Sequence, residues 1–153
     1  MIIRRGTARD DQGDEDRSAR YGAFERLAVG DTGGLAQVGV FVETLQPGSR
    51  TVERHWHERS DELIYVVAGE VTVVENDGEH VLVPGDAACW PAGVANAHQL
   101  VNRSAAPCTY VLVGTRPGDD KCHYPDLGQV QIVEGDAWRI VDAVGVVLRS
   151  GKV

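Results

Sequence analysis

What this chain lacks removes several classes of function. Only three cysteines, Cys89, Cys108 and Cys122, occur in 153 residues. The count is odd, the density is low and no Cys-x-x-Cys spacing occurs, so a disulfide scaffold or a paired-cysteine zinc or redox site is excluded. Cys89 and Cys108 fall in apolar runs and are expected to be small buried hydrophobes. Long apolar runs are missing too. The start, Met1-Ile2-Ile3-Arg4-Arg5, turns polar at once and offers no signal or membrane span, so a reducing cytoplasm is the expected location. Positive charge is in deficit, with 15 Lys and Arg against 23 Asp and Glu for a formal net charge of -8. Such a surface does not attract nucleic acid or an anionic membrane.

What is present reads as one small all-β domain. Hydrophobic residues make up 42% of the chain, enough for a core of ordinary size, and 18 Gly and 6 Pro punctuate short runs of Val, Ile, Thr and Tyr. Strands are expected at residues 38–45, 51–57, 63–67, 71–75, 80–83, 97–101 and 108–115, close enough together for a barrel or sandwich. Asn76-Asp77-Gly78 tolerates the positive φ of a tight hairpin, and Pro84-Gly85-Asp86 and Pro91-Ala92-Gly93 turn later corners. Residues 4–20 are dominated by charge, so residues 1–28 are expected to form a partly disordered arm, followed by a barrel over 29–116. The remainder, 117–153, is expected to pack on the barrel or on a partner subunit, with strands at 138–141 and 144–148. Open sheet edges and this tail point to a homodimer.

The sharpest local feature is His55-Trp56-His57. Alternate residues of a strand share a face, which places two imidazoles about 7 Å apart at Cα on one side, a chelating arrangement. The spacing alone is a weak signal, but its surroundings add to it. Gly48, His55, His57, Glu62 and Gly69, followed by Gly85, Pro91, Gly93, His98 and Asn102, resemble the two motifs of the cupin superfamily. Asn96 stands where the commonest form of the second motif places its histidine, and His98 follows two residues later. His55-Trp56-His57, Asp61-Glu62, Asn102-Arg103-Ser104, Gly114-Thr115-Arg116 and His123-Tyr124-Pro125-Asp126 are similar to small single-domain bacterial cupins.

The resemblance implies a double-stranded β-helix, or jelly-roll, barrel that holds one divalent transition metal on His55, His57, Glu62 and His98. Asp61 competes with Glu62, and Asn96 with His98. Three imidazoles and a carboxylate suit Fe, Mn, Ni, Zn, Co or Cu, whereas Mg and Ca prefer oxygen shells. His80 and His123 read as surface histidines, and Trp56 and Trp90 as packing residues, although Trp90 beside Pro91 could line the barrel mouth. The expected partner is a small, mainly apolar molecule with one chelating oxygen, because Arg54 is the only Lys or Arg in the seven core strand runs and faces away from the imidazoles. A metal-dependent oxygenase, isomerase or lyase is the leading expectation. A non-catalytic binding or sensor protein is the alternative, and a sugar-phosphate isomerase the less favoured one. Further acid–base groups in the cavity would favour an enzyme, and a purely apolar lining would favour a sensor.

Overall fold

Alternation of inward and outward residues builds the framework of the computed structural model, which describes residues 1–11 and 15–152. In chain order the N-terminal elements are β1 (Arg9–Asp10), α1 (Glu15–Tyr21), β2 (Phe24–Ala28), α2 (Val29–Thr32) and β3 (Val38–Leu45). Next come β4 (Trp56–His57), β5 (Glu62–Ala68), β6 (Val71–Glu75), β7 (Gly78–Leu82), β8 (Ala87–Trp90), β9 (Gln99–Val101) and β10 (Cys108–Thr115). The tail adds β11 (Asp120–Tyr124), β12 (Gln129–Glu134), β13 (Ala137–Asp142) and β14 (Val147–Lys152). Among the described residues strands dominate and helix is confined to short segments, as an all-β fold requires.

Three antiparallel sheets result. The largest has the order β1-β2-β3-β10-β5-β8, the second β14-β13-β12-β11-β4, and the third β7-β6-β9. Strand β3 shows the period-2 rule cleanly: Gly39, Phe41, Glu43 and Leu45 are buried while the residues between them are partly exposed. On β5, Ile64 and Val66 are buried and Tyr65 and Val67 are exposed, which puts Glu62 in phase with the inward residues. The core joins Phe24, Leu45, Ile64, Val66, Val71, Val73, Trp90, Leu100, Cys108 and Tyr110 across the sheets. Each large aliphatic side chain removed from water there contributes about 1.5–3 kcal/mol.

Several strands differ from the sequence expectation for identifiable reasons. Of residues 51–57 only Trp56–His57 forms a strand, because Arg50 and His55 make isolated bridges to Val101 and His98 rather than a continuous ladder. Strand β8 is additional. It follows Pro84-Gly85-Asp86 and pairs with β5, burying Trp90 but leaving Cys89 exposed. The expectation of a buried Cys89 is therefore wrong: its neighbour Trp90 takes the inward position, so Cys89 alternates outward. Within residues 1–28, β2 pairs with β3 along its whole length and buries Phe24 and Ala28. Part of the stretch expected to be disordered, residues 12–14, lies outside the described residues. In the tail, β11 pairs with β4, which attaches the second sheet directly to the His55-Trp56-His57 segment.

Gly69 shows why the turn between β5 and β6 takes a glycine. Its φ is +75°, and a Cβ there would collide with the Pro107 carbonyl and lie 2.9 Å from Cys108 Cα.

Candidate metal centre

Backbone pairing brings the distant histidines together. His55 and His98 form an antiparallel bridge: His55 N–H donates to the His98 carbonyl at 3.0 Å and His98 N–H to the His55 carbonyl at 2.9 Å. Side chains of directly opposed residues project to the same face, and the two ring centroids lie 4.7 Å apart. His57 sits one alternation further, its ring 5.3 Å from that of His55. The Gly93 N–H donates to the His57 carbonyl at 2.9 Å, and the Ala92 N–H donates to Asp61 Oδ1 at 2.8 Å. The turn before His98 is thus pinned to the His55–Glu62 segment.

Glu62 reaches the same point from β5. Its Oε2 lies 3.7 Å from His55 Nε2, 3.8 Å from His57 Nε2 and 3.4 Å from His98 Nε2. Asp61 is exposed and occupied with the Ala92 amide. Asn96 turns away, donating through Nδ2 to Glu75 Oε1 at 2.8 Å. The geometry thus brings His55, His57, Glu62 and His98 together and leaves Asp61 and Asn96 outside.

The outer nitrogens are tied back. His57 Nδ1 meets Asp120 Oδ2 at 2.6 Å and His55 Nδ1 meets the Glu53 carbonyl at 2.9 Å, so each ring is held in the tautomer that presents an Nε2 lone pair inward. His98 is 1% exposed, and neither of its ring nitrogens has a hydrogen-bond partner among the described residues. Trp90 stacks on it with centroids 3.7 Å apart, and the indole Nε1 donates to Glu75 Oε1 at 2.6 Å. A buried polar atom without a partner is costly. Three inward lone pairs beside a carboxylate form a donor set that a divalent cation would satisfy, so these residues fit a metal ion.

Electrostatics follow the same arrangement. Burial raises the Glu62 pKa, but His55 and His98 outweigh it and hold the carboxyl well below its usual range. Burial opposes charge on His55, yet the Glu62 carboxylate and the Glu53 carbonyl prevail and raise its pKa. At His98 burial dominates and lowers it.

Comparison with known proteins identifies the family and the fold. The Cupin domain family profile matches residues 41–114. A solved structure from Silicibacter pomeroyi, described as a sugar phosphate isomerase from a cupin superfamily, is 35% identical, with a TM-score of 0.82 over 92% of this chain and 89% of that one. The chain is a cupin. A putative sugar phosphate isomerase structure from Acidithiobacillus ferrooxidans is 27% identical, with a TM-score of 0.75 over 82% of this cupin and 81% of that chain. Protein SchB of Streptomyces halstedii is 29% identical over 117 residues, covering 76% of this cupin and 80% of the relative.

The tail of this cupin supplies residues that sequence reasoning missed. Register places His57, Cys122, Gln131, Ile140 and Arg149 in one row across the second sheet. Tyr124, two residues after Cys122, shares that face, and its ring lies 5.8 Å from His55. Burial pushes the Cys122 thiol up to about 12 and raises the Tyr124 phenol strongly as well. The signal was available: alternation through Cys122-His123-Tyr124 separates two inward residues from His123, which instead stacks on Trp56 with centroids 4.2 Å apart. His123 is therefore braced and half-buried, whereas His80 is an exposed partner of Asp77.

Beside Tyr124 opens a cavity of about 430 Å³ whose walls include Glu53, Tyr21, Arg17, Arg20 and Arg149. A second hollow of about 350 Å³, against Leu63, Cys89 and Val113, lies on the outward face of the large sheet, because Leu63 alternates with inward Glu62 and Ile64. The first cavity is linked to the histidines through Tyr124, which lies on its wall with its ring 5.8 Å from that of His55. Its arginines come from α1 and β14, outside the core strand runs, with the Arg17 guanidinium over Phe24 and that of Arg20 over Tyr21. Arg54, the cation within those runs, is engaged with Asp126 at 2.7 Å.

Among the described residues no helix is long and apolar enough to cross a membrane.

Proposed function

We propose that this cupin is a metal-dependent enzyme that isomerises a small hydroxycarbonyl compound carrying an anionic group. The convergence of three imidazole nitrogens on Glu62 Oε2, at 3.4–3.8 Å, carries the reading. His55, His57, Glu62 and His98 would hold one divalent ion of the Fe, Mn, Ni, Zn, Co or Cu series, which when bound supplies Lewis acidity toward a substrate oxygen. Tyr124 keeps its phenolic proton because of burial, and its Oη, which donates to Gln131 Oε1 at 3.3 Å, would turn that donor to a substrate oxygen. Glu53 places a carboxylate on the cavity wall as a proton acceptor. These two groups favour an enzyme over a sensor. Arg17, Arg20 and Arg149 suit a phosphate or carboxylate, which replaces a mainly apolar substrate with an anionic one. The 35% identical Silicibacter pomeroyi protein, described as a sugar phosphate isomerase, supports the same substrate class.

The test is hydrogen exchange in deuterated water, read by proton NMR, with aldose and ketose phosphates and their unphosphorylated counterparts. Metal-loaded protein is expected to exchange the hydrogen beside the carbonyl in the phosphorylated compounds alone. Binding without exchange would turn the reading to a sensor, and neither binding nor exchange would overturn it. The proposal includes a homodimer in the cytoplasm: β14 is an edge strand, exposed throughout and carrying Val147 and Leu148. Light scattering at micromolar concentration is expected to return twice the chain mass.

A further inference from the structure

Cys122 lies on the inward face among side chains able to ligate a metal. It lies directly opposite His57 across the β4–β11 pair, so the two side chains share the inward face, and it is 5% exposed. One ligand atom from each of His55, His57 and Cys122 lies within 4.8 Å of the other two, and His55 also belongs to the His55–Glu62–His98 group that meets the same limit. A buried cysteine usually acts as a small hydrophobe among aliphatic groups. Here its inward neighbours include two imidazoles, the Tyr124 phenol and, opposite it on β12, Gln131.

We propose that Cys122 is an additional donor of the metal centre, a sulfur that biases the site toward thiophilic ions such as zinc and cobalt and away from manganese. The inference rests on the metal-centre reading. Ligation breaks the Sγ–H bond, releases the proton to solvent and forms a sulfur–metal bond with no change of oxidation state. Because β11 belongs to the C-terminal segment, the donor set would be completed by residues outside the family's two motifs. Soft sulfur raises affinity for zinc more than for manganese, so the tail would set which ion is retained.

Cobalt(II) added to the metal-free full-length protein tests this directly. The wild type is expected to show both visible cobalt bands and a near-ultraviolet sulfur-to-cobalt charge-transfer band. Cys122→Ser should keep the first and lose the second, while Cys89→Ser, altering an exposed thiol, should keep both. Zinc affinity of Cys122→Ser should fall about tenfold or more with manganese affinity unchanged. X-ray absorption at the zinc edge of the wild type reads the contact without any variant, as a Zn–S distance of about 2.3 Å. Visible cobalt bands without charge transfer, a charge-transfer band that follows Cys89, or a zinc spectrum with only nitrogen and oxygen neighbours would overturn the proposal and leave the metal centre standing. A wild type with no cobalt bands of either kind would overturn the metal centre itself.

Discussion

Two clusters of buried polar side chains lie inside one barrel, about 13 Å apart along β10 if the rise is 3.3 Å per residue from Gly114 to Tyr110. In the first, Tyr110 Oη donates to Glu43 Oε2 at 2.6 Å, Arg26 Nε lies 3.0 Å from Glu43 Oε1, and the Arg26 guanidinium rests over Phe41. Charge meets countercharge there, although Arg26 Nε pairs with Glu43 without hydrogen-bond geometry. In the second, His55, His57, His98 and Glu62 present acceptors to one another while the Nδ1 atoms of His55 and His57 are engaged behind them. Burial of polar groups is common to both, so burial does not mark a site. What distinguishes the second cluster is an imbalance that a cation would correct.

The comparison breaks most decisively at His98. His98→Ala is expected to abolish near-stoichiometric metal content, measured by elemental analysis of purified protein, while Tyr110→Phe leaves that content unchanged. Equal metal loss in both variants would erase the distinction. Asp120→Asn, which weakens the brace on His57 Nδ1 without removing a donor from the centre, is expected to lower metal affinity about 10- to 100-fold in a chelator competition.

The self-contained cluster responds in stability instead. Tyr110→Phe should cost about 2 kcal/mol in urea unfolding, the scale of a buried hydrogen bond to a charged acceptor. Burial and then the Glu43 carboxylate raise the Tyr110 pKa. The folded state therefore binds that proton more tightly than the unfolded state. Its stabilising effect is complete below the ordinary tyrosine value of about 10 and is lost as pH climbs toward the folded value. Wild-type stability should fall above that pH more steeply than that of Tyr110→Phe. At the surface, Arg54→Ala breaks the pair with Asp126 and should change unfolding free energy by only about 0.5 kcal/mol, which sets the scale for polar contacts outside either cluster.

Much of the frame was legible from local chemistry. The strands at 38–45, 71–75 and 108–115 match β3, β6 and β10 because their alternation and flanking turns agree. Residues 51–57 were less legible, since Thr and Val propensity suggests a strand while the actual partners, Val101 and His98, allow only isolated bridges. Strand β8 was missed because its four residues, Ala87–Trp90, are too short for a periodicity to register. The pairings of Glu43 with Tyr110 and of Arg17 with the tail cavity join residues far apart in the chain, and no spacing encodes them.

Sequence alone determined that this chain is an all-β cupin and drew His55, His57, Glu62 and His98 from its two motifs, because those rest on alternation, turn residues and short-range spacing. The tertiary structure brings Glu62 rather than Asp61, and His98 rather than Asn96, to the point where the imidazoles converge. It also brings Cys122, Tyr124 and Asp120 beside the histidines. Cross-strand register across β4, β11 and the rest of the second sheet brings them there, and register is set by pairing between segments the chain itself keeps apart.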